Sequence, residues 1–383
     1  MAYKPRRSFR HLLQKTASVA GASALLVGAI APALPAHAQW PGANGSIIYQ
    51  KNISTATTSV NEFYAINNDG SNNRKLSISF PKNAQNIYGM RFNREATKIV
   101  YSCSIGGVPR TFIANANGSG AVQVASYTSQ SGAPYDYAWT SDSAGVFYSS
   151  PLDNKIHYTN AAGTEGKILD ITLPTDFTGY GDPKLTPDNG YLAFSSYDTV
   201  NYSNDILIAP SGGGAAENVS NTTSTSETDY DWHPDNSNRI LARSGGVYGT
   251  FTKGQSGFTP LSGESTSGYS FFSALGYSPS GDYMLAYGAT QQFPNMGHIY
   301  MMTGSAILQV PNLTFDSNVG ITGDVLGWTS ANVKGSSVSL ASAKLPDTGV
   351  VRKNYTNYAL LAAIPALLGM TYLGRAAFKR SRR

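Results

Sequence analysis

The chain has 383 residues, 41% of them hydrophobic and 13% charged, enough to bury a sizeable core in one large domain or two small ones. Its formal charge of +5 would suit an acidic partner such as nucleic acid, but five basic residues precede Ala38 and seven follow Thr348. Residues 39–348 keep 16 Lys and Arg against 23 Asp and Glu, a net charge of −7, which argues against nucleic acid as a partner.

The N-terminus carries Lys4, Arg6, Arg7, Arg10 and Lys15, then the small apolar run "SVAGASALLVGAIA", then "APALPAHA" with Ala36 and Ala38 spaced as signal peptidase requires. Residues 1–38 therefore read as a secretory signal peptide cleaved between Ala38 and Gln39. The single cysteine, Cys103 in "KIVYSCS", leaves an exported domain no internal disulfide and reads as a small buried hydrophobe.

From residue 39 onward a repeat governs the pattern. A large apolar residue followed by a polar turn recurs as "FNRE" at Phe92, "WTSD" at Trp139, "LTPD" at Leu185, "WHPD" at Trp232, "YSPS" at Tyr277 and "WTSA" at Trp328, at spacings of 47, 46, 47, 45 and 51 residues. Each turn leads into an apolar strand ("TKIVYS", "AGVFYSS", "GYLAFSS", "NRILARS", "DYMLAYG"), a third strand ending in a Gly, Asn or Ser turn, and a weaker fourth strand. That is the length and content of one four-stranded propeller blade. The first unit, "GSIIYQ" onward, lacks an opening strand, and "DVLGWTS" near the end supplies one with nothing after it. The pattern predicts an all-β, six-bladed β-propeller over residues 39–330, closed when the C-terminal strand completes the first blade.

The units "EFYAINNDGSNNRKLS" and "WTSDSAGVFYSSPLDNKIHYTNAAG" resemble the repeats of TolB-like (WD40-like) propellers over about residues 44–330. The match is good in "NNDGSNNRKL" and "LTPDNGYLAFSS" and weaker in the fifth unit, whose third strand looks irregular. The resemblance implies the six-bladed fold and assigns no function.

A polar linker, residues 331–344, leads to Leu345, Pro346, Asp347, Thr348 and Gly349. This pentapeptide, the apolar run 358–374 and the basic end of the tail together resemble the LPXTG sorting signal of bacterial surface proteins, over residues 345–383. The resemblance implies that a sortase cysteine attacks the Thr348 carbonyl, releases Gly349 onward and passes the acyl group to peptidoglycan or a pilin. Pro346 stiffens the peptide and Gly349 lets an enzyme approach the backbone, while the apolar run can just span or stall in a bilayer core, and Pro365 inside it favours a transient transmembrane insertion during the reaction. The expected location is the cell surface, covalently attached to the wall.

No GxSxG elbow and no zinc-spaced histidines occur; His157, His233 and His298 are scattered, and His233 lies in the "WHPD" turn. One constellation survives alignment of the repeats. Asp136, Asp182 and Asp229 each stand three residues before their unit's hallmark residue, beside Tyr135, Tyr180, Tyr230 and Asp231. Equivalent positions converge around a propeller's channel, where these groups could bind Ca²⁺, a sugar or a basic peptide. The expected role is a surface module binding an unidentified protein or glycan. The alternatives are a surface hydrolase or lyase working in the channel, for which no paired catalytic groups stand out, and a structural wall or pilus component.

Overall fold

The computed structural model describes residues 44–330 except 56, 58, 129–131, 224, 236, 256, 262–268 and 304–305. The signal segment, the linker and the sorting tail lie outside the described residues. Strands dominate, and the one helical element among the described residues is a short 3-10 turn at Ser317–Val319. Short strands broken by Gly, Asn and Asp turns leave no room for a helical apolar stripe, which is why the period-2 pattern wins throughout.

The strands form six antiparallel blades. Blade 1 orders Ile321–Trp328, Ile47–Ser54, Ser59–Ile66 and Arg74–Lys75, so the last strand of the chain closes the first blade as the complementary ends require. Trp328 pairs with Ile47 and Ile321 with Ile53, and Ser46 and Thr329 exchange backbone and side-chain hydrogen bonds beyond the ladder. Blade 2 holds Ala84–Phe92, Lys98–Ile105, Val108–Asn115 and Val122–Ser126; blade 3 holds Tyr137–Trp139, Gly145–Ser150, Lys155–Asn160 and Gly166–Ile168. Blade 4 is Phe177–Leu185, Tyr191–Asp198, Ser203–Pro210 and Glu217–Asn218, and blade 5 is Glu227–Trp232, Arg239–Ser244, Val247–Thr252 and Thr259–Pro260. Blade 6 runs from Tyr269–Tyr277 through Met284–Thr290, Phe293–Met302 and Ile307–Gln309, with Phe315–Asp316 as an extra strand on Phe293–Met302. The third strand of blade 5, which looks irregular in sequence, pairs with Arg239–Ser244 residue by residue without a bulge.

Alternation sends successive side chains to opposite faces of each blade, so every blade contributes to two cores. Ile47 and Tyr49 pack toward blade 6, against Leu285, Ile299 and Phe315, whereas Ile48 packs toward blade 2, against Met90, Phe92 and Tyr101. Further cores lie between blades 2 and 3, 3 and 4, 4 and 5, and 5 and 6. An open stack of six sheets has five such junctions; the sixth, between blades 6 and 1, is what makes the ring. Each large side chain fully buried at a junction stabilises the fold by about 1.5–3 kcal/mol before entropy is charged.

The hallmark residues sit at these junctions. Trp139 and Trp232 are buried, and their indole N–H groups donate to the carbonyls of Arg91 (3.2 Å) and Lys184 (3.0 Å) on the preceding blade's inner strand. The turns that follow them interlock, with the Asn189 side chain accepting from the Ser141 backbone N–H at 2.9 Å and donating to its hydroxyl at 2.7 Å. A buried tryptophan bonded across the junction fixes both blade spacing and inner-strand height at Trp139 and Trp232, while Phe92, Leu185, Tyr277 and Trp328 fill the equivalent position in the other units. Cys103 is fully buried and burial pushes its thiol up to about 11, so it is a packing residue.

Candidate functional site

The inner strands are bulged. Ladder register shifts between Gln85 and Arg91, between Thr178 and Lys184, and between Thr228 and Asp231. Asp182 (φ 41°) and Asp229 (φ 52°) adopt left-handed backbone inside two of these bulges. Aspartate tolerates that region better than most residues, and a bulge re-aims the side chains beside it.

The result is a charged network across the channel. Arg91 Nη2 lies 2.6 Å from Asp136 Oδ1, and Lys184 Nζ lies 2.6 Å from Asp182 Oδ1. Tyr230, buried, donates its hydroxyl to the Asp182 carbonyl at 2.6 Å, pinning the bulge from the next blade. Asp231 accepts from the Trp232 backbone N–H at 2.9 Å, and a methyl group on Gly276 would collide with its carboxylate. The absence of a side chain at Gly276 is therefore what admits Asp231 to the channel.

Of the seven channel residues expected from the repeats, Asp136, Asp182 and Asp231 share this network. Asp229 approaches Arg243 at 3.9 Å. Tyr180 departs from expectation: its hydroxyl donates to the Ile171 carbonyl and its ring packs on Phe194 in the core between blades 3 and 4, because the bulge after it breaks the alternation. Tyr230 supports the site from behind, and Tyr135 stands 67% exposed at the channel mouth. Arg91, Lys184 and Asp324 belong to the network and were not singled out from the sequence.

Two cavities meet at the ion pairs. One, of about 90 Å³, is lined by Arg91, Lys184, Asp231, Trp139 and Trp328. The other, about 560 Å³, opens at the mouth between blades 3 and 4 and is lined by Asp136, Asp182, Tyr135, Ser149, Ser150 and Asn154, with Pro134, Pro151 and Pro183 in its walls. The cations face the small cavity and their carboxylate partners the large one, so the ion pairs partition the channel.

Electrostatics divides the carboxylates. Burial raises Asp136, but Lys184 and Arg91 outweigh it and hold the group below its ordinary range. Asp182 is pushed up to about 6, chiefly by burial and further by Asp136, against the pull of Lys184. Asp231 also rises to about 6 through burial, and burial raises Asp324 despite Arg91. Burial disfavours the Lys184 ammonium, but Asp182 and Asp136 more than compensate and raise it. Asp136 and Asp182 keep about 30% of their side-chain surface open to channel water, so screening moderates these effects.

Among the described residues no group of three or more His, Cys, Asp or Glu is arranged to hold a metal ion. His157 pairs with Asp153 at 2.8 Å and His233 with Asp235 at 2.7 Å; burial lowers His233 against the pull of Asp235.

A pH dependence follows. Asp182 and Asp231 bind their protons more tightly folded than unfolded, so their contribution to stability is fully present below about pH 4 and is lost as pH rises through about 6. With channel-water screening this amounts to about 1–2 kcal/mol, and acidification from pH 7 to 5 is expected to raise Tm by about 2–4 °C. His233 opposes the gain in part. Thermal melts of the Asp182→Asn, Asp231→Asn double variant should lose most of the rise, burial of Asp324, Asp205 and Glu227 sustaining the rest; an unchanged rise contradicts the assignment.

No protein-family model and no curated protein matches the chain. Solved structures do. The chain is similar to TolB from Acinetobacter baumannii at 13% identity and TM-score 0.47, over 74% of this chain and 65% of that one. It is similar to the putative TolB from Agrobacterium tumefaciens at 13% identity and TM-score 0.47, over 76% and 94% of the two chains. Hydrazine synthase of Kuenenia stuttgartiensis matches at 12% identity and TM-score 0.52, over 78% of this chain and 48% of that one. The chain thus spans less than two thirds of the Acinetobacter protein and about half of the Kuenenia one. At these identities the likeness is one of fold: a TolB-like six-bladed propeller.

Proposed function

We propose that the chain is a bacterial surface protein, exported through residues 1–38 and joined at Thr348 by a sortase to wall peptidoglycan or a pilin, with its propeller displayed as a binding module. The tail motif supports the anchoring. The observation that carries the binding role is the polarity of the propeller. Strand direction puts the hallmark turns and both ends of the described chain on one face: the Gly45 N–H donates to the Thr329 carbonyl, and the Ser280 N–H donates to the Asn44 side-chain oxygen beside them. The opposite face bears the large cavity. It also carries nine of the twelve exposed large apolar side chains among the described residues, including Tyr135, Leu152, Val200, Tyr202 and Phe293. Such a surface, turned away from the point where the chain leaves the ring, suits partner contact.

The linker 331–344 reaches at most about 45–50 Å when extended, so the module works close to its attachment point. The hydrolase or lyase alternative draws on Asp182 and Asp231, two carboxylates held near 6 in a channel, where acid–base groups are useful. Cell fractionation tests the anchoring. Muramidase should release the wild-type protein from the wall, and Thr348→Ala should shift it to membrane and medium; an unchanged distribution overturns the proposal.

A further inference from the structure

The larger cavity carries a more specific assignment, which rests on reading the propeller as a binding module. We infer that the mouth between blades 3 and 4 is a binding site for a neutral oligosaccharide.

The first observation is an aromatic platform. Tyr135 is 67% exposed, and Tyr88 braces its ring from behind at 4.8 Å between centroids and 35° between planes. Gly89 makes that arrangement possible, since a side chain there would press on the Tyr135 carbonyl at 2.6 Å. A braced, exposed aromatic ring offers a flat apolar surface at little entropic cost, which matches the C–H face of a pyranose.

The second is the state of the acceptors. Asp136 and Asp182 line the cavity with their charge already matched by Arg91 and Lys184. A lysine or arginine side chain from a protein partner would meet carboxylates already paired with cations and would have to shed its own hydration to do so. An anionic sugar would find no cation on this wall, because Arg91 and Lys184 are engaged by Asp136 and Asp182 and line the smaller cavity. A neutral hydroxyl avoids both costs: it donates to a charge-compensated carboxylate and forms a charge-assisted hydrogen bond without bringing in a charge. Asn154 adds an amide donor and acceptor along the same wall, and Ser149, whose hydroxyl donates to the Tyr180 carbonyl, adds an acceptor.

The third is preorganisation. Pro134, Pro151 and Pro183 stiffen three of the segments that form the walls, and the Tyr230 hydroxyl fixes the Asp182 bulge. The volume of about 560 Å³ lies in the usual range of small-ligand sites, about 300–1,000 Å³, and accommodates a few sugar units.

The test uses the full-length chain purified in mild detergent, so that it is independent of anchoring. Probes are neutral cello-, malto-, xylo- and galacto-tetrasaccharides, an oligogalacturonate and a lysine-rich peptide, titrated by calorimetry. At least one neutral tetrasaccharide should bind, with Tyr135→Ala and Asn154→Gly, the latter keeping the left-handed backbone at φ 53°, each weakening it at least tenfold at little-changed Tm, and Tyr135→Phe retaining most of the affinity. Neutral sugars that bind with no response to these variants overturn the site. Binding of the peptide or the oligogalacturonate in place of the neutral sugars overturns the ligand class and leaves the binding-module reading standing. If no probe binds, both fall.

Discussion

Truncation after Gly320 is expected to abolish cooperative folding of the propeller. The lost strand, Ile321–Trp328, buries Val325, Leu326 and Trp328 almost completely, and they divide between the two cores that flank blade 1. At about 1.5–3 kcal/mol for each such side chain, with a ladder of paired residues lost besides, the effect approaches the whole stability of a typical domain, about 5–15 kcal/mol. The truncation would also bare the edge of Ile47–Ser54, a template for aggregation. A circular permutant separates loss of the strand from loss of chain length. In five blades the opening and second strands are joined by the hallmark turn, whereas in blade 1 the chain is broken there, with Trp328 paired to Ile47. Linking Ser330 to Asn44 and opening the chain before Ile321 should therefore restore a single urea transition. A truncated chain that unfolds with wild-type midpoint and cooperativity would refute closure as the source of stability.

Lys184→Met is expected to cost about 2–4 kcal/mol, since removing one partner of an enclosed ion pair strands the other, and water in the channel trims the usual penalty. Lys184 stands among three carboxylates, Asp182, Asp136 and Asp231, so its loss leaves more uncompensated charge than the loss of Arg91 beside Asp136. Asp182→Asn in the same chain should recover part of the stability, a coupling readable in a double-mutant cycle by chemical denaturation. Additive effects would mean that Lys184 and Asp182 do not act as a pair. Acid should lessen the damage, because Asp182 and Asp231 take up protons near pH 6.

The architecture was legible because its signals are local. Hallmark turns, period-2 strands and complementary ends each need only a few residues to be recognised, and the observed ladder from Trp328 to Ile47 completes the blade those ends imply. The channel was legible only in part. Aligning the repeats on the position three before the hallmark found Asp136 and Asp182, but the cations sit one residue before it, at Arg91 and Lys184, with Asp231 in the same place in blade 5. Ala138, Gly276 and Gly327 hold that position in the other three blades, so charge crowds one side of the channel and space the other. That contrast was present in the sequence. What the sequence did not disclose is the bulging of the inner strands, which turns Tyr180 into the core and brings Asp182 to the channel despite their spacing of two. Bulges depend on cross-strand register, which a single strand does not encode.

The proposed display at a wall would suit this arrangement. The net charge of −7 over residues 39–348 favours solubility of the propeller, and the single buried thiol leaves the fold to its six blade junctions. Both ends of the propeller leave from the face bearing the hallmark turns, and the cavity of about 560 Å³ opens on the other.

The most direct measurement is the mass of the C-terminal peptide of protein released from intact cells by muramidase. The account predicts a peptide ending at Thr348 and carrying a peptidoglycan or pilin-derived amine. Recovery of an unmodified chain ending at Arg383 would contradict it.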